Sequence, residues 1–520
     1  MTMHAPALPA PDDQSETLAF LGESATHGGH EVTRIDTHGA IVFLAGDRAV
    51  KLKRAVKFPF LDFTTVDRRK AACDAEIRVN RPAAPDIYLG VEAITRNHRG
   101  ELAIDGPGTV IDHVVIMRRF DETQTLDRLA ANGMLTTAIV PALAEAVLAS
   151  HRAAALHDGA PWLRQLGVYL DQNEAAFAEY PELFPVEAVA RLSAASRATL
   201  AALVPLVERR GRLGFVRRCH GDLHLRNIVL IDGRPTLFDA IEFDEAIAIS
   251  DVFYDLAFLL MDLWHRGLRA EANDLFNRYV AATGDDHIDG LALLPLFISI
   301  RAGIRAKVTA ATIAHGRSEE RAEIAREAGE YFELACAVMA SPTPRLVAIG
   351  GLSGTGKSTL AAALAPLLGG APGALLLRSD VERKALFGVA ETERLGSDAY
   401  AAAVTADVYE RIQRKARIAI EAGRSVILDA VHARPEERAE AETVAAALGV
   451  PFDGLWLEAP EAELVARVTA RTGDASDADA AIVLRQLEYD VGSVGWHRVD
   501  AHGGADAVAE RARAALRLAG

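Results

Sequence analysis

Residues Gly351-Leu352-Ser353-Gly354-Thr355-Gly356-Lys357-Ser358 spell GxxxxGK[ST] with every fixed position filled. An apolar, strand-like run (346–349) precedes the motif, and an Ala/Leu-rich helical stretch (357–368) follows it. That order of strand, loop and helix is the context in which the motif functions. The glycines let backbone N–H groups close around phosphate oxygens, and the helix N-terminus adds its positive dipole end. The alternative, a glycine-rich turn without a ligand, would not need both flanking elements. The motif assigns Gly351, Ser353, Gly354, Thr355, Gly356, Lys357, Ser358 and Thr359 to a nucleoside triphosphate. Lys357 is expected at the β- and γ-phosphates and Ser358 on Mg²⁺.

The text around the motif alternates in the same way. Strands are expected at 374–377, 425–428 and 454–457, with helices at 400–422 and 436–448. Strands separated by helices of this length indicate a parallel α/β sheet. Upstream the pattern differs. Short strands (40–44, 49–52, 114–117) and one helix (65–80) come first, then a largely helical region (126–338) with a strand–loop–strand insert at 217–239. Two prolines in Ser341-Pro342-Thr343-Pro344 separate the halves. The expected division is a loose tail over 1–29, a first domain over 30–340, a linker over 341–345 and a second domain over 346–520. No internal repeat at a fixed period is evident.

Composition narrows the partners. A chain of 520 residues, 50% hydrophobic and 25% charged, is globular and too long for one ordinary domain. Its formal charge of -16 argues against a general cationic surface for nucleic acid. Three scattered cysteines (Cys73, Cys219, Cys336) give neither a disulfide scaffold nor a Cys-type zinc site and suit a reducing cytosol. The N-terminus has no basic region ahead of an apolar core, and the most apolar stretch, 252–264, is short and carries Asp255 and Asp262. The expectation is a soluble cytoplasmic protein acting on small molecules, with no nucleic-acid or membrane partner. The oligomeric state stays open.

A second motif lies in the first half: His220-Gly221-Asp222-Leu223-His224-Leu225-Arg226-Asn227, then a hairpin turn at Asp232-Gly233, then Asp239. Asp222 and Asn227 stand five apart, and Asp239 lies twelve further on. These are the intervals of a kinase catalytic loop and its metal-binding Asp. Asp222 is the candidate base, and Asn227 and Asp239 the candidate Mg²⁺ ligands. The form HGDxHxxN resembles the aminoglycoside phosphotransferase and choline kinase group over roughly residues 30–335. The resemblance implies a protein-kinase-like small-molecule kinase fold. It makes Lys51 in Ala49-Val50-Lys51 the phosphate lysine, with Lys53 the alternate, and Glu76 the ion-pair partner. Met117 would start the hinge beside adenine, and the D-x-x-x-D-L-A helix from Asp251 would support the loop. The pattern is broken twice, since no Gly-rich phosphate loop is evident and Ala240-Ile241-Glu242-Phe243-Asp244 replaces Phe-Gly. Glu242 and Asp244 either tune binding or face solvent. His220 and His224 are expected as structural hydrogen-bonders, for want of a third zinc ligand. Arg301, Arg305 and Lys307 are expected on a solvated or ion-paired helix face, and Trp264 and Trp456 in packing.

In the second half, Asp380 and Arg383 follow a strand, Asp429 ends another, and Arg467-x-x-x-Arg471 precedes Asp474-Ala475-Ser476-Asp477. Here the chain resembles small P-loop kinases such as gluconate kinase, polynucleotide 5′-kinases and zeta-type toxins. The resemblance makes Asp380 the base, Arg383 the acceptor clamp, and Arg467 and Arg471 lid residues. The four-residue spacing of those arginines also occurs on solvated helix surfaces. Asp429 is either a Walker-B-like metal ligand or simply the end of a strand. The whole order resembles bacterial fusion proteins that join an aminoglycoside phosphotransferase-like domain to a P-loop domain. They imply two ATP- and Mg²⁺-dependent phosphotransferase modules. A regulatory ATPase with a ligand-sensing first domain is the alternative. Phe58-Pro59-Phe60-Leu61-Asp62-Phe63 resembles a recurring piece of that group and has no assigned role.

Overall fold

The computed structural model of the protein describes residues 13–58, 61–315, 317–340, 342–470 and 474–518. By its contacts the chain divides into two compact units, 1–165 with 209–256 and 166–208 with 257–520.

The first unit is built on an antiparallel sheet of β1 (Val32–Asp36), β2 (Ala40–Ala45), β3 (Arg48–Lys53), β4 (Tyr88–Arg96), β5 (Leu102–Ile104) and β6 (Thr109–Arg118), in the order β1-β2-β3-β6-β4-β5. Side chains alternate across it. One face buries Ile41, Phe43, Val50, Leu52, Ile94, Val114 and Ile116. On the other face, cross-strand register sets Thr33, Leu44, Ala49 and Met117 in one row and Ile35, Val42, Lys51 and Val115 in the next. Helix α2 (Val66–Asn80) begins where the Thr65 hydroxyl accepts the Arg68 N–H. Beyond the sheet, β7 (Ile228–Ile231) and β8 (Arg234–Leu237) form the expected hairpin.

The expected loose tail over 1–29 is in part structured. Helix α1 (Ser15–Gly22) lies there, with Leu21 fully buried in the sheet's apolar face. Leu18, Phe20 and Leu21 cover side chains that would otherwise meet water, so the helix is held by packing. Residues 1–12 lie outside the described residues.

In the second unit five parallel strands, β9 (Leu346–Gly351), β10 (Leu375–Arg378), β11 (Val426–Asp429), β12 (Phe452–Glu458) and β13 (His497–Asp500), pair in the order β10-β11-β9-β12-β13. β9 is buried along its whole length, as a central parallel strand should be. Residues 342–345 have neither helix nor strand. Arg301 is buried 4.7 Å over the Phe258 ring, and Arg305 lies 5.4 Å over Tyr331. Guanidinium groups are attracted to such ring faces. Burial holds Lys307 down at about 8. Among the described residues no helix is long and apolar enough to cross a membrane.

Replacing Leu21 tests the packing role of α1. Leu21→Ala should cost about 2–5 kcal/mol through lost burial and a residual cavity, read as a lower urea midpoint for the first unit. An unchanged midpoint would mean the segment adds nothing.

Candidate active sites

In the first unit, β3 directs Lys51 and Lys53 toward α2. Lys51 Nζ lies 2.7 Å from both Glu76 Oε1 and Asp239 Oδ1, and Lys53 Nζ lies 2.5 Å from Glu76 Oε2. Lys53 also pairs with Glu242. Both lysines and three carboxylates thus meet in one network, with Glu76 buried at its centre. Burial alone would raise the Glu76 carboxyl, but Lys51 and Lys53 outweigh it and hold it at about 2. Burial would lower the Lys51 ammonium, yet Asp239 and Glu76 keep it well above the usual lysine range. Glu242 is pushed up by burial, with Lys53 opposing.

The catalytic-type loop is held from below and behind. Asp255 accepts N–H bonds from His220 (3.2 Å) and Gly221 (2.8 Å), and the His220 ring meets the Phe238 carbonyl at 2.9 Å. Burial holds the His220 ring below the usual histidine range. Asn227 Nδ2 donates to Asp222 Oδ2 at 2.9 Å, and Asn227 O accepts the Phe238 N–H at 3.0 Å. Asp239 has φ +60, a strained left-handed conformation, and donates its N–H to the Tyr88 hydroxyl at 3.0 Å. Asp222 and Asp239 remain 40% and 47% exposed, open to a ligand. Met117 ends the row Thr33, Leu44, Ala49 and Met117. Near that row a cleft of 830 Å³ is lined by Thr33, Leu44, Asp47, Phe120 and Asp121 among others.

The second unit brings its P-loop residues to a cleft of 1020 Å³. Ser353 to Thr359, Asp380, Arg383, Asp429 and Arg467 all line it. Gly354 requires glycine: its φ is +85, and a Cβ there would meet the Leu464 carbonyl oxygen at 2.6 Å. Ser358 Oγ donates to Asp429 Oδ2 at 2.6 Å. Arg378 Nε stands 3.3 Å from the same oxygen, while its Nη2 reaches Asp474 at 2.8 Å. Asp380 opens helix α6 (Ser379–Leu386), and its carboxyl is raised by burial and by neighbouring Asp429.

Arg383 and Arg467, which both line this cleft, also make contacts inside the protein. Arg383 is buried, with Nη1 on the Ala399 carbonyl at 2.6 Å and its guanidinium 4.8 Å over Tyr400. Arg467 binds backbone carbonyls of Ala501 (2.9 Å) and Gly503 (3.0 Å), with Gly354 at 3.4 Å. Arg471 lies outside the described residues. Glu242 does not face solvent, since Lys53 takes it into the buried network. Asp244 instead caps a short helix by accepting the Ala246 N–H. Further contributors carry no motif. Gln486 Oε1 accepts the Ser353 N–H at 2.7 Å, and Asp477 ties Lys384 to Tyr400 with bonds of 2.8 and 2.7 Å. A lone buried Gln in an amphipathic helix gives no sequence signal.

Comparison with known proteins gives two family matches. The "Phosphotransferase enzyme family" model matches residues 71–293, and an "AAA domain" model matches 346–489. An uncharacterized protein of Mycobacterium tuberculosis, Rv2004c, is 31% identical over 480 residues, 90% of this chain and 92% of the relative. A Mycobacterium bovis protein matches to the same extent. Among solved structures, a gluconokinase from Sinorhizobium meliloti is 22% identical, covering 34% of this chain and 93% of its own, at TM-score 0.24. A choline/ethanolamine kinase family protein from Mesorhizobium loti is 14% identical, covering 63% and 95%, at TM-score 0.38.

The Glu76 carboxyl ionises more readily folded than unfolded. Its stabilisation is therefore complete above the unfolded value of about 4.3 and is lost as pH falls toward about 2. Glu76→Gln should flatten this acid limb and lower stability at neutral pH by about 3 kcal/mol. Urea denaturation at pH 3 and pH 7 measures both.

Proposed function

The chain belongs to the same family as the M. tuberculosis relative and is an ATP-dependent phosphotransferase with two kinase-type domains, and we propose that each domain transfers the γ-phosphoryl group of ATP to a hydroxyl of a small molecule in the cytoplasm. The observation that carries this reading is Lys51, held between Glu76 and Asp239 beside a loop in which Asn227 binds Asp222. An aminoglycoside-like compound, a sugar or another metabolite is the acceptor class of the first domain, and a second small molecule that of the P-loop domain.

In the first domain the acceptor hydroxyl gives its proton to Asp222, and Asn227 fixes that carboxylate. Lys51 leaves Asp239 for the phosphates, keeping Glu76 as its anchor. The row Thr33, Leu44, Ala49 and Met117 is the side of the sheet we assign to adenine. In the second domain the N–H groups of residues 353–358 and the Lys357 ammonium cradle the phosphates. Asp380 accepts the acceptor's proton, Arg383 shapes the acceptor wall, and Arg467 braces the P-loop, with Arg471 the further lid residue.

The donors on each side are oxygen atoms, which suit a hard cation. Asn227 and Asp239 would hold Mg²⁺ in one domain, and Ser358 and Asp429 in the other. Mg²⁺ held by these residues would supply neutralisation of charge on the phosphates. The fit is direct at Ser358, whose Oγ already lies 2.6 Å from Asp429.

Incubation with γ-labelled ATP, Mg²⁺ and pooled aminoglycosides, sugars, sugar acids, nucleosides and cell extract tests the reading. One labelled product should vanish in Asp222→Ala and a different one in Lys357→Ala. Label released only as inorganic phosphate would contradict it and favour a regulatory ATPase. Because the Asp380 carboxyl is raised, transfer at the P-loop site should fall with acidification at a higher pH than for an ordinary carboxylate base. The pH profile in an Asp222→Ala background measures this.

A further inference from the structure

Strand β10 is an edge of the parallel sheet, and helix α4 (Arg269–Thr283) covers it with side chains in place of a sixth strand. Asn277 Oδ1 accepts the Leu376 N–H at 2.7 Å, and Asn277 Nδ2 donates to the Ala374 carbonyl at 3.2 Å. Asn273 Nδ2 donates to the carbonyls of Pro372 (2.9 Å) and Ala374 (3.0 Å). Both asparagines are buried. Helix α4 lies within the stretch matched by the phosphotransferase family model, so a segment of that family seals the P-loop sheet.

Two residues past α4, Asp285 joins a charge network on the same sheet's helices. It lies 2.9 Å from Arg411 Nη2, 2.6 Å from Arg414 Nη2 and 3.1 Å from Lys415 Nζ, all on helix α7 (Ala402–Glu421). Arg411 Nε and Lys415 Nζ in turn reach Glu382 at 2.7 and 2.6 Å. Glu382 sits in the first turn of α6, two residues after Asp380. Glu382 and Lys415 are almost fully buried, where a pair tolerates little change in geometry or charge balance. Without Asp285, two cations of α7 would face the single carboxylate of Glu382.

We propose that Asp285 is a positioning residue of the P-loop site, fixing α6 and therefore Asp380 through the shared Arg411 and Lys415. The assignment rests on the proposed role of Asp380. It makes one family's segment a working part of the other family's catalytic module, extending that module back to residue 269.

The test compares Asp285→Ala, Asp285→Asn and Asp285→Glu in the full chain carrying Asp222→Ala. Amide hydrogen exchange is followed over 379–386, with 505–515 as internal control, alongside ATP turnover with water as acceptor. Asp285→Ala and Asp285→Asn should speed exchange over 379–386 by about tenfold and lower kcat by about tenfold. The KM for ATP should stay within about twofold, and Asp285→Glu should restore both readouts. Unchanged exchange over 379–386 would overturn the proposal. Equal acceleration over 505–515 would also overturn it, making Asp285 a general fold residue. If the parent chain consumed no ATP with water as acceptor, the exchange comparison alone would decide the role of Asp285.

Discussion

One carboxylate with no exposed surface, Glu76, binds two lysine ammonium groups at once, and the first site is organised around it. A site for a polyanion needs cations, yet cations held close together and out of water repel. Glu76 resolves this by lying between Lys51 and Lys53, while Glu242 and Asp239 complete the charge balance. The arrangement also links elements far apart in sequence. Strand β3, helix α2 and the segment after β8 are fixed by the same five groups. The two rungs, Lys51–Asp239 and Lys53–Glu242, join β3 to that segment without a Gly-rich loop over the phosphates.

The second site meets the same requirement differently. Its cations work beside backbone N–H groups, and the sheet supplies rigidity: β9 and β11 present the P-loop and Asp429 side by side. Charge is again shared, since Arg378 spans Asp429 and Asp474, and Lys384 is neutralised by Asp477. Phosphoryl transfer asks mainly for positioning and charge stabilisation, which both sites are built to give.

Legibility in the sequence followed locality. The P-loop and the HGD box are contiguous, so spacing alone exposed them, and the parallel sheet followed from alternation of strands and helices. Asp239 followed from its interval to Asn227, but Lys51 and Glu76 needed a family resemblance, because their sequence distances from Asp239 say nothing about contact. Glu242 was ambiguous for the same reason: only the fold puts it against Lys53. The Asn273 and Asn277 side chains that seal β10, the brace from Gln486 and the packing of α1 gave no signal. Each depends on a partner supplied by tertiary structure. The ring contacts of Arg301 and Arg305 gave no signal either, because Phe258 and Tyr331 reach them only through the fold.

Calorimetric titration of the full chain with a non-hydrolysable ATP analogue and Mg²⁺ tests the central claim, two nucleotide sites in one polypeptide, most directly. Two sites per chain are expected, falling to one in Lys357→Ala and to a different one in Lys51→Ala. A single site abolished by Lys357→Ala and untouched by Lys51→Ala would contradict it.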